Sequence, residues 1–506
     1  MRRSRYWVVR GFRSVTARRS FVLSEGPATG SWPLADPYEG IALQEVTAFT
    51  GGRDVTGTGE LFFPRVSTDS RTVDSGDLFV ALRGERFDGH RFVENALERG
   101  ARGALVEEAP SDEVLRRYDA AVVTVPDCLK ALGDLAAGWR RKFPAPVGVL
   151  TGSNGKTTTK EMTMAILRLC FSCLWSPGNY NNRIGLPLTL LMLKPEHERV
   201  VLEMGMNEPG EIRALTWISQ PQAGALLNVG PAHLERFASV EAVAEAKGEM
   251  LQAMPKESVF VFNQDDPRVR ALAERWEGPK TSFGLGGDAG IRLISAEEHG
   301  ATQKMRIEVL GDEVATEIHI PGRHNLTNAL AAVALSSALG APLEAIGEGL
   351  ARFQTMQGRF SVRMYEDFTI VDDSYNANPA SMESALETLC EVSGHADRML
   401  VLGDMLELGT FSEEAHRELG RKAGRINPAL LCITGDYSKW VEEGAGEQGM
   451  PAERIILFED VKTVAREILA RMRGGEWVLI KGSRGMALER VVEELHRQSK
   501  PLPANE

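Results

Sequence analysis

Val147-Gly-Val-Leu-Thr-Gly-Ser-Asn-Gly-Lys-Thr-Thr-Thr159 is the stretch on which the reading of this chain turns. Val147–Leu150 has the length and apolar character of a buried strand. A glycine-rich turn follows at once, and then a helical period carried by Met162, Ala165, Ile166 and Leu169. Gly152 and Gly155 let the backbone of the turn curl so that its N–H groups face inward, with Ser153, Asn154 and Thr158 completing the curve. The N-terminus of the helix lies behind those donors, and the two together form a concavity for phosphate oxygens. Lys156 is expected to reach the β- and γ-phosphates of ATP, and the Thr157 hydroxyl to ligate Mg²⁺. Leu150 stands where the longer P-loop pattern has its first glycine, so only G-x-x-G-K-T remains. Its setting between a strand and a helix is what separates it from a chance match.

Outward from that turn, apolar strands alternate with helical periods. Val200–Leu202, Ala223–Val229 and Val259–Phe262 belong with Val147–Leu150 in a central α/β domain, residues 144–357, with a parallel sheet covered by helices. Before it, Lys142-Phe-Pro-Ala-Pro146 resists both helix and strand and reads as a linker. Residues 41–143 form a smaller α/β unit with strands at Asp77–Leu82, Gly103–Val106 and Ala120–Val125 and a helix opening at Phe92 and stopping at Gly100. A third α/β domain, residues 358–498, carries strands at Thr369–Val371, Met399–Leu402, Leu430–Thr434 and Trp477–Ile480, and a polar tail closes the chain at 499–506. Residues 1–40 differ in kind: seven arginines precede the first acid, Glu25, and Tyr6–Val9 is too short for the apolar core of an export signal. A disordered leader, either dispensable or misassigned, is expected there, with folded protein beginning near Ile41.

Composition narrows the function classes. The 506 residues are 43% hydrophobic and 25% charged, with 70 acids against 58 bases and a net charge of −12, which excludes a wholly disordered chain and disfavours nucleic acid or anionic lipid as partner. No apolar run is long enough to insert in a membrane. Five cysteines are too few for a disulfide framework, and Cys170-x-x-Cys173 lacks a second pair to complete a zinc set. A cytoplasmic, monomeric protein is expected.

Further chemistry sits at strand ends. Glu203 ends Val200-Val-Leu-Glu203 and is either a second metal ligand or a charge capping the strand. His233, in Asn228-Val-Gly-Pro-Ala-His233, leaves the carboxyl edge of another strand, where parallel sheets bind ligands. In the helix expected after Ser239, Lys247 falls on the apolar stripe, seven residues from Val240. Either its stem is buried with the ammonium in water, or its amine, neutral through desolvation, reacts with CO₂ to give a carbamate that ligates a second Mg²⁺ beside His233. Asn263-Gln-Asp-Asp-Pro267 is a weak turn signal, and Gly284–Gly290 reads as a plain turn. Asn325 and Asn328, one helical turn apart, suit the donor and acceptor edge of adenine, or Asn325 caps its helix. Asp372-Asp-Ser-Tyr-Asn-Ala-Asn-Pro379 is first a turn, and its polar density also suits a ribose or peptide. Arg359, just past the domain junction, could neutralise a transferring phosphoryl group.

Together these motifs resemble the Mur ligase family of ATP-dependent amide-bond ligases. The resemblance runs from about Ile41 to His496. It rests on Asp69-Ser-Arg71, Gly76–Gly84 and Asp88-Gly-His90 in the first domain, on the P-loop through Lys160-Glu161, and on Gly178-Asn-Tyr-Asn-Asn-Arg-Ile-Gly185. The stretches from Glu203 (EMGMNEPGEI), Pro321 (PGRHNLTNAL) and Asp372 (DDSYNANP) extend it. Val401–Gly409 and Lys481-Gly-Ser-Arg-Gly-Met486 favour the member that adds D-alanyl-D-alanine to UDP-MurNAc-tripeptide. The resemblance implies three domains, with Ser70 and Arg71 near the UDP group and Asn179, Asn181 and Asn182 on the substrate path. It also implies ATP and two Mg²⁺, with Thr157, Glu203, His233 and carbamylated Lys247 as metal ligands. Arg359 and Asp373 would close over the ATP from the last domain, whose loop Tyr375, Asn376 and Asn378 faces substrate. Two alternatives bound this reading: another amide ligase of the superfamily, diaminopimelate-adding or folylpolyglutamate-type, and a regulatory P-loop ATPase that needs no acceptor.

Overall fold

The structure, a computed structural model, describes residues 40–84, 87–231 and 234–499. The expected leader, apart from Gly40, and His233 lie outside the described residues. The chain divides into two compact units between Ala131 and Leu132.

In the first unit a five-stranded sheet runs in the order Arg53–Asp54, Ala121–Thr124, Gly103–Val106, Leu78–Val80, Val66–Ser67. The first pair is antiparallel and the others are parallel. Leu78–Val80 and Gly103–Val106 are buried along their whole length, as strands covered on both faces must be. The expected helix is Val93–Glu98, and it stops before Gly100, whose φ of 105° only glycine adopts readily.

The second unit holds two sheets. The first has nine strands in the order Asp312–Ile318, Thr302–Val309, Ile291–His299, Lys280–Gly284, Val259–Asn263, Ala223–Leu226, Val147–Thr151, Arg199–Glu203, Cys173–Trp175. From Cys173–Trp175 through the junction with Ile291–His299 the pairings are parallel, which puts Thr151, Glu203, Leu226 and Asn263 at one carboxyl edge. The four strands expected in a parallel sheet do pair in parallel, and three strands that the sequence did not announce extend the sheet with antiparallel pairings among themselves. Two of them are largely polar and exposed, so they carry little apolar signal. Only Thr302–Val309 alternates, with Met305, Ile307 and Val309 buried. The Gly284–Gly290 cluster is the turn that leads into them.

The helix Lys156–Leu167 crosses this sheet beside Arg323–Ala338, which is buried on all sides and forms the middle of the core with Leu150, Ile166, Val201 and Phe283. The second sheet runs Ser361–Met364, Phe368–Asp373, Glu476–Lys481, Arg398–Leu402, Leu430–Ile433, Ile455–Leu457, parallel except for its first hairpin. Among the described residues, no helix is long and apolar enough to cross a membrane.

Candidate active site

A cleft of about 510 Å³ opens where the carboxyl edges of the two sheets of the second unit face each other, a volume typical of small-ligand sites. Its floor is the P-loop turn. Gly155, at φ 79°, is the residue before the helix, and a Cβ there would stand 2.1 Å from the Asn328 side-chain oxygen, so backbone hand and close packing both require glycine. The turn is splinted by the neighbouring loop. The Asn228 carbonyl and amide accept from Ser153 N and Asn154 N and its Nδ2 donates to Asn154 O, while Ser153 Oγ and Gly230 exchange two bonds. Asp266, in the stretch that read as a weak turn, accepts from Val229 N and also caps the next helix. Lys156 donates to Gly152 O at 2.8 Å, and its pKa is lowered by burial and by Arg359.

Glu203 is buried at the end of its strand. Oε1 accepts from Asn181 Nδ2 at 2.8 Å, while Oε2 is buried with no hydrogen-bond partner. Lys247 lies on the helix Val240–Ala253, capped by Ser239 as its sequence indicates. It is 2% exposed, which overturns the alternative of an ammonium reaching water. Burial and the nearby Lys156 charge push its pKa well down, toward a neutral amine. Asn325 donates to Pro321 O and accepts from Asn328 Nδ2, so the two buried amides bond each other along one wall. The capping alternative for Asn325 is corrected, because its amide turns to a carbonyl before the helix rather than to a free N–H.

From the second sheet, Arg359 donates to Thr157 Oγ1 at 3.1 Å and lies 3.9 Å over the Tyr375 ring. It is aimed by its neighbours: Gly358 N donates to Asp372, and Phe360 N, at a left-handed φ of 54°, donates to Asp373. Asp373 also pairs with Lys481 at 2.6 Å. Asn378 caps the helix Pro379–Ser393 and reaches Asn154 Oδ1 at 2.7 Å, whereas Asn376 is exposed at the rim. Asn179, Asn181 and Asn182 line the same cleft, and Asn182 Oδ1 accepts from Ile184 N and Gly185 N where the helix Gly185–Leu190 begins. Ser70 and Arg71 belong to the first unit. Ser70 is buried, and Arg71 folds onto Asp69, whose carboxyl it holds at about 2.

Sequence reasoning gave no role to His324, Lys481 or Lys160. His324 lines the cleft and is exposed there. Lys481 ends the apolar strand Glu476–Lys481, a strand-end charge of the kind read as meaningful at Glu203. Lys160 had only its motif as a signal. Among the described residues no cluster of three or more His, Cys, Asp and Glu could hold a metal. A cation here would depend on Glu203, hydroxyl oxygens and the ligand's own phosphates. That all-oxygen set, with an unpartnered carboxylate oxygen, fits Mg²⁺.

Three family models match: Mur ligase family, catalytic domain, over residues 64–140; Mur ligase middle domain over 150–336; and Mur ligase, glutamate ligase domain, over 358–484. The chain is 37% identical over 462 residues to the UDP-N-acetylmuramoyl-tripeptide–D-alanyl-D-alanine ligase of Escherichia coli, covering 90% of this chain and 98% of that one. It is 34% identical to the Bacillus subtilis enzyme of the same name, over 85% and 92% of the two chains. Among solved structures, MurF from Acinetobacter baumannii superposes with a TM-score of 0.82 at 32% identity, over 91% of this chain and 99% of that one. MurF from Thermotoga maritima in complex with ADP gives 0.76 at 31%, over 86% and 97%.

Proposed function

This chain belongs to the Mur ligase family, and from that premise we propose that it joins D-alanyl-D-alanine to UDP-MurNAc-tripeptide at the expense of ATP. The reaction completes a UDP-MurNAc-pentapeptide precursor of peptidoglycan. The observation that carries the reading is the convergence on one cleft of Thr157, the unpartnered oxygen of Glu203 and Arg359, three groups brought from separate elements.

The terminal carboxylate of the tripeptide attacks the γ-phosphorus of ATP, forming an acyl phosphate and releasing ADP. The amine of the dipeptide then attacks the acyl carbon, loses a proton, and inorganic phosphate leaves. Two anions meet in the first step, so the protein's task is to offset charge and exclude water. Backbone N–H groups of Gly152–Thr158 and the Lys156 ammonium hold the phosphates. Arg359, stacked on Tyr375, presents a planar cation to the transferring group. Asn325 and Asn328 form the adenine wall, with Asp373 toward the ribose. Asn179, Asn181 and Asn182 line the path of the UDP substrate, whose uridine end falls to Ser70 and Arg71. Tyr375, Asn376 and Asn378 face substrate from the last domain. Thr157, Glu203, His233 and Lys247 would hold two Mg²⁺, which supply Lewis-acid stabilisation of the phosphoryl oxygens. For Lys247 this requires a carbamate: the neutral amine adds to CO₂ and loses a proton, leaving an anionic oxygen ligand. Its burial beside Lys156 supports the neutral amine. Consumption of ATP assigns the reaction to the cytoplasm.

A coupled ADP-release assay tests the function. ADP should appear with UDP-MurNAc-tripeptide and D-Ala-D-Ala together, one per dipeptide joined. ATP hydrolysis at the same rate with neither acceptor would instead identify a P-loop ATPase and defeat the proposal.

A further inference from the structure

Lys160 is a lysine with no exposure at all, one turn beyond the P-loop lysine on the helix Lys156–Leu167. An ammonium is expensive to bury unless its donors are satisfied, and here they are, by specific partners. Nζ donates to Ser176 O at 2.8 Å and to Gly178 O at 3.4 Å and lies 3.1 Å from Glu161 Oε1. Ser176 and Gly178 open the loop that carries Asn179–Asn182. That loop is hooked in turn to the end of the strand Arg199–Glu203. Ser176 Oγ accepts from Glu203 N at 3.2 Å, Asn181 Nδ2 donates to Glu203 Oε1 at 2.8 Å, and Gly205 N donates to Asn181 O at 2.7 Å. One buried charge therefore ties the helix under the phosphates to the loop that grips Glu203 by both backbone and carboxylate.

We propose that Lys160 is a positioning residue of the ligase reaction: through Ser176 and Asn181 it holds the Glu203 carboxylate, with its second oxygen open, at the metal–nucleotide end of the cleft. The neighbouring asparagines stand on the same loop, so the tie also couples the nucleotide floor to the path of the UDP substrate. The assignment rests on the reading of Glu203 as a metal ligand.

The test uses no turnover. The non-hydrolysable analogue AMP-PNP is bound to the full-length protein, Mn²⁺ is titrated in, and bound metal is read by electron paramagnetic resonance, with the metal-free affinity for AMP-PNP measured separately by calorimetry. Lys160→Met should raise the Mn²⁺ half-saturation roughly tenfold or more, while metal-free nucleotide affinity stays within about twofold. Combining it with Glu203→Gln should add nothing to the loss seen in Glu203→Gln alone, because both act on one carboxylate. A lowered melting temperature with Mn²⁺ half-saturation within about twofold of the parent would mark Lys160 as purely structural and overturn the proposal. If Glu203→Gln itself binds Mn²⁺ like the parent, the metal-ligand reading fails, a result separate from the Lys160 comparison. Should Lys160→Met not fold, Lys160→Gln and Ser176→Ala replace it in the same titration. Weakened metal binding in both supports the tie, and parent-like binding in both removes it.

Discussion

Two side chains show how burial fixes protonation. Lys247, buried near Lys156, is driven toward the neutral amine, the form that can attack CO₂. Lys247→Ala should abolish turnover. Bicarbonate with an excess of a short carboxylic acid should partly restore it by supplying the missing anion, and full activity in Lys247→Ala would remove the carbamate assignment. His416 is the second case. Its Nδ1 donates to Ser412 O and its Nε2 accepts from Met405 N, so the ring must be neutral, and burial lowers its pKa. The unfolded chain, with an imidazole near about 6.5, binds the proton more readily than the native state. This contribution to stability is therefore complete above that value and is lost as pH falls below it. Asp404, beside it, has its pKa raised by burial and works in the opposite sense nearer the carboxylate range. The melting temperature should decline from pH 7 toward pH 5, and His416→Leu should be less stable at pH 7.5 but show a shallower decline. An unchanged slope in His416→Leu would refute this.

At the level of elements, the strand–turn–helix unit is committed by glycine geometry. Alanine at Gly155 would have to adopt φ 79° and would press its Cβ on Asn328. With left-handed strain alone at about 1–3 kcal/mol, Gly155→Ala should weaken Mg-ATP binding by roughly tenfold or more, measured by calorimetry on protein whose circular dichroism is unchanged. Parent-like affinity would show that the turn does not form the phosphate cradle. Elements also explain what escaped a reading of the chain. Val147–Thr151 and Met399–Leu402 are buried throughout and announce themselves as apolar runs. Ile291–His299 and Asp312–Ile318 face water on much of their surface, and backbone pairing rather than side-chain burial makes them strands.

Among the bonds that link the segments around the two sheets of the second unit are Arg359 to Thr157, Asn378 to Asn154, and Glu235 N to Glu407 O at 3.1 Å. The first has a chemical consequence, since an arginine carried on a separate sheet acts on the transferring group only when that sheet is docked. Arg359→Ala should lower kcat by roughly 10³-fold or more, as loss of an arginine finger does, with a much smaller change in KM for ATP. Asn378→Ala, which removes a neutral bond at the same junction, should have the lesser effect. Equal losses in the two variants would mean that Arg359 serves docking and not phosphoryl transfer. Both are read in the coupled ADP-release assay.

The linear chain determined its own local commitments: a phosphate-binding turn between strand and helix, acids and amides at strand ends, a lysine on an apolar stripe. These are legible because glycine hand, apolar periodicity and the chemistry of a donor act over a few neighbouring residues. Tertiary structure alone decided which of those groups meet. That Lys247 is cut off from water, that Asn325 bonds Asn328, that Arg359 reaches Thr157 across 202 positions and that Lys160 binds the loop at Ser176 all follow from the packing of distant segments. The reason is that desolvation and hydrogen-bond partnership depend on what surrounds a group on every side, and neighbours in sequence supply only part of that surrounding.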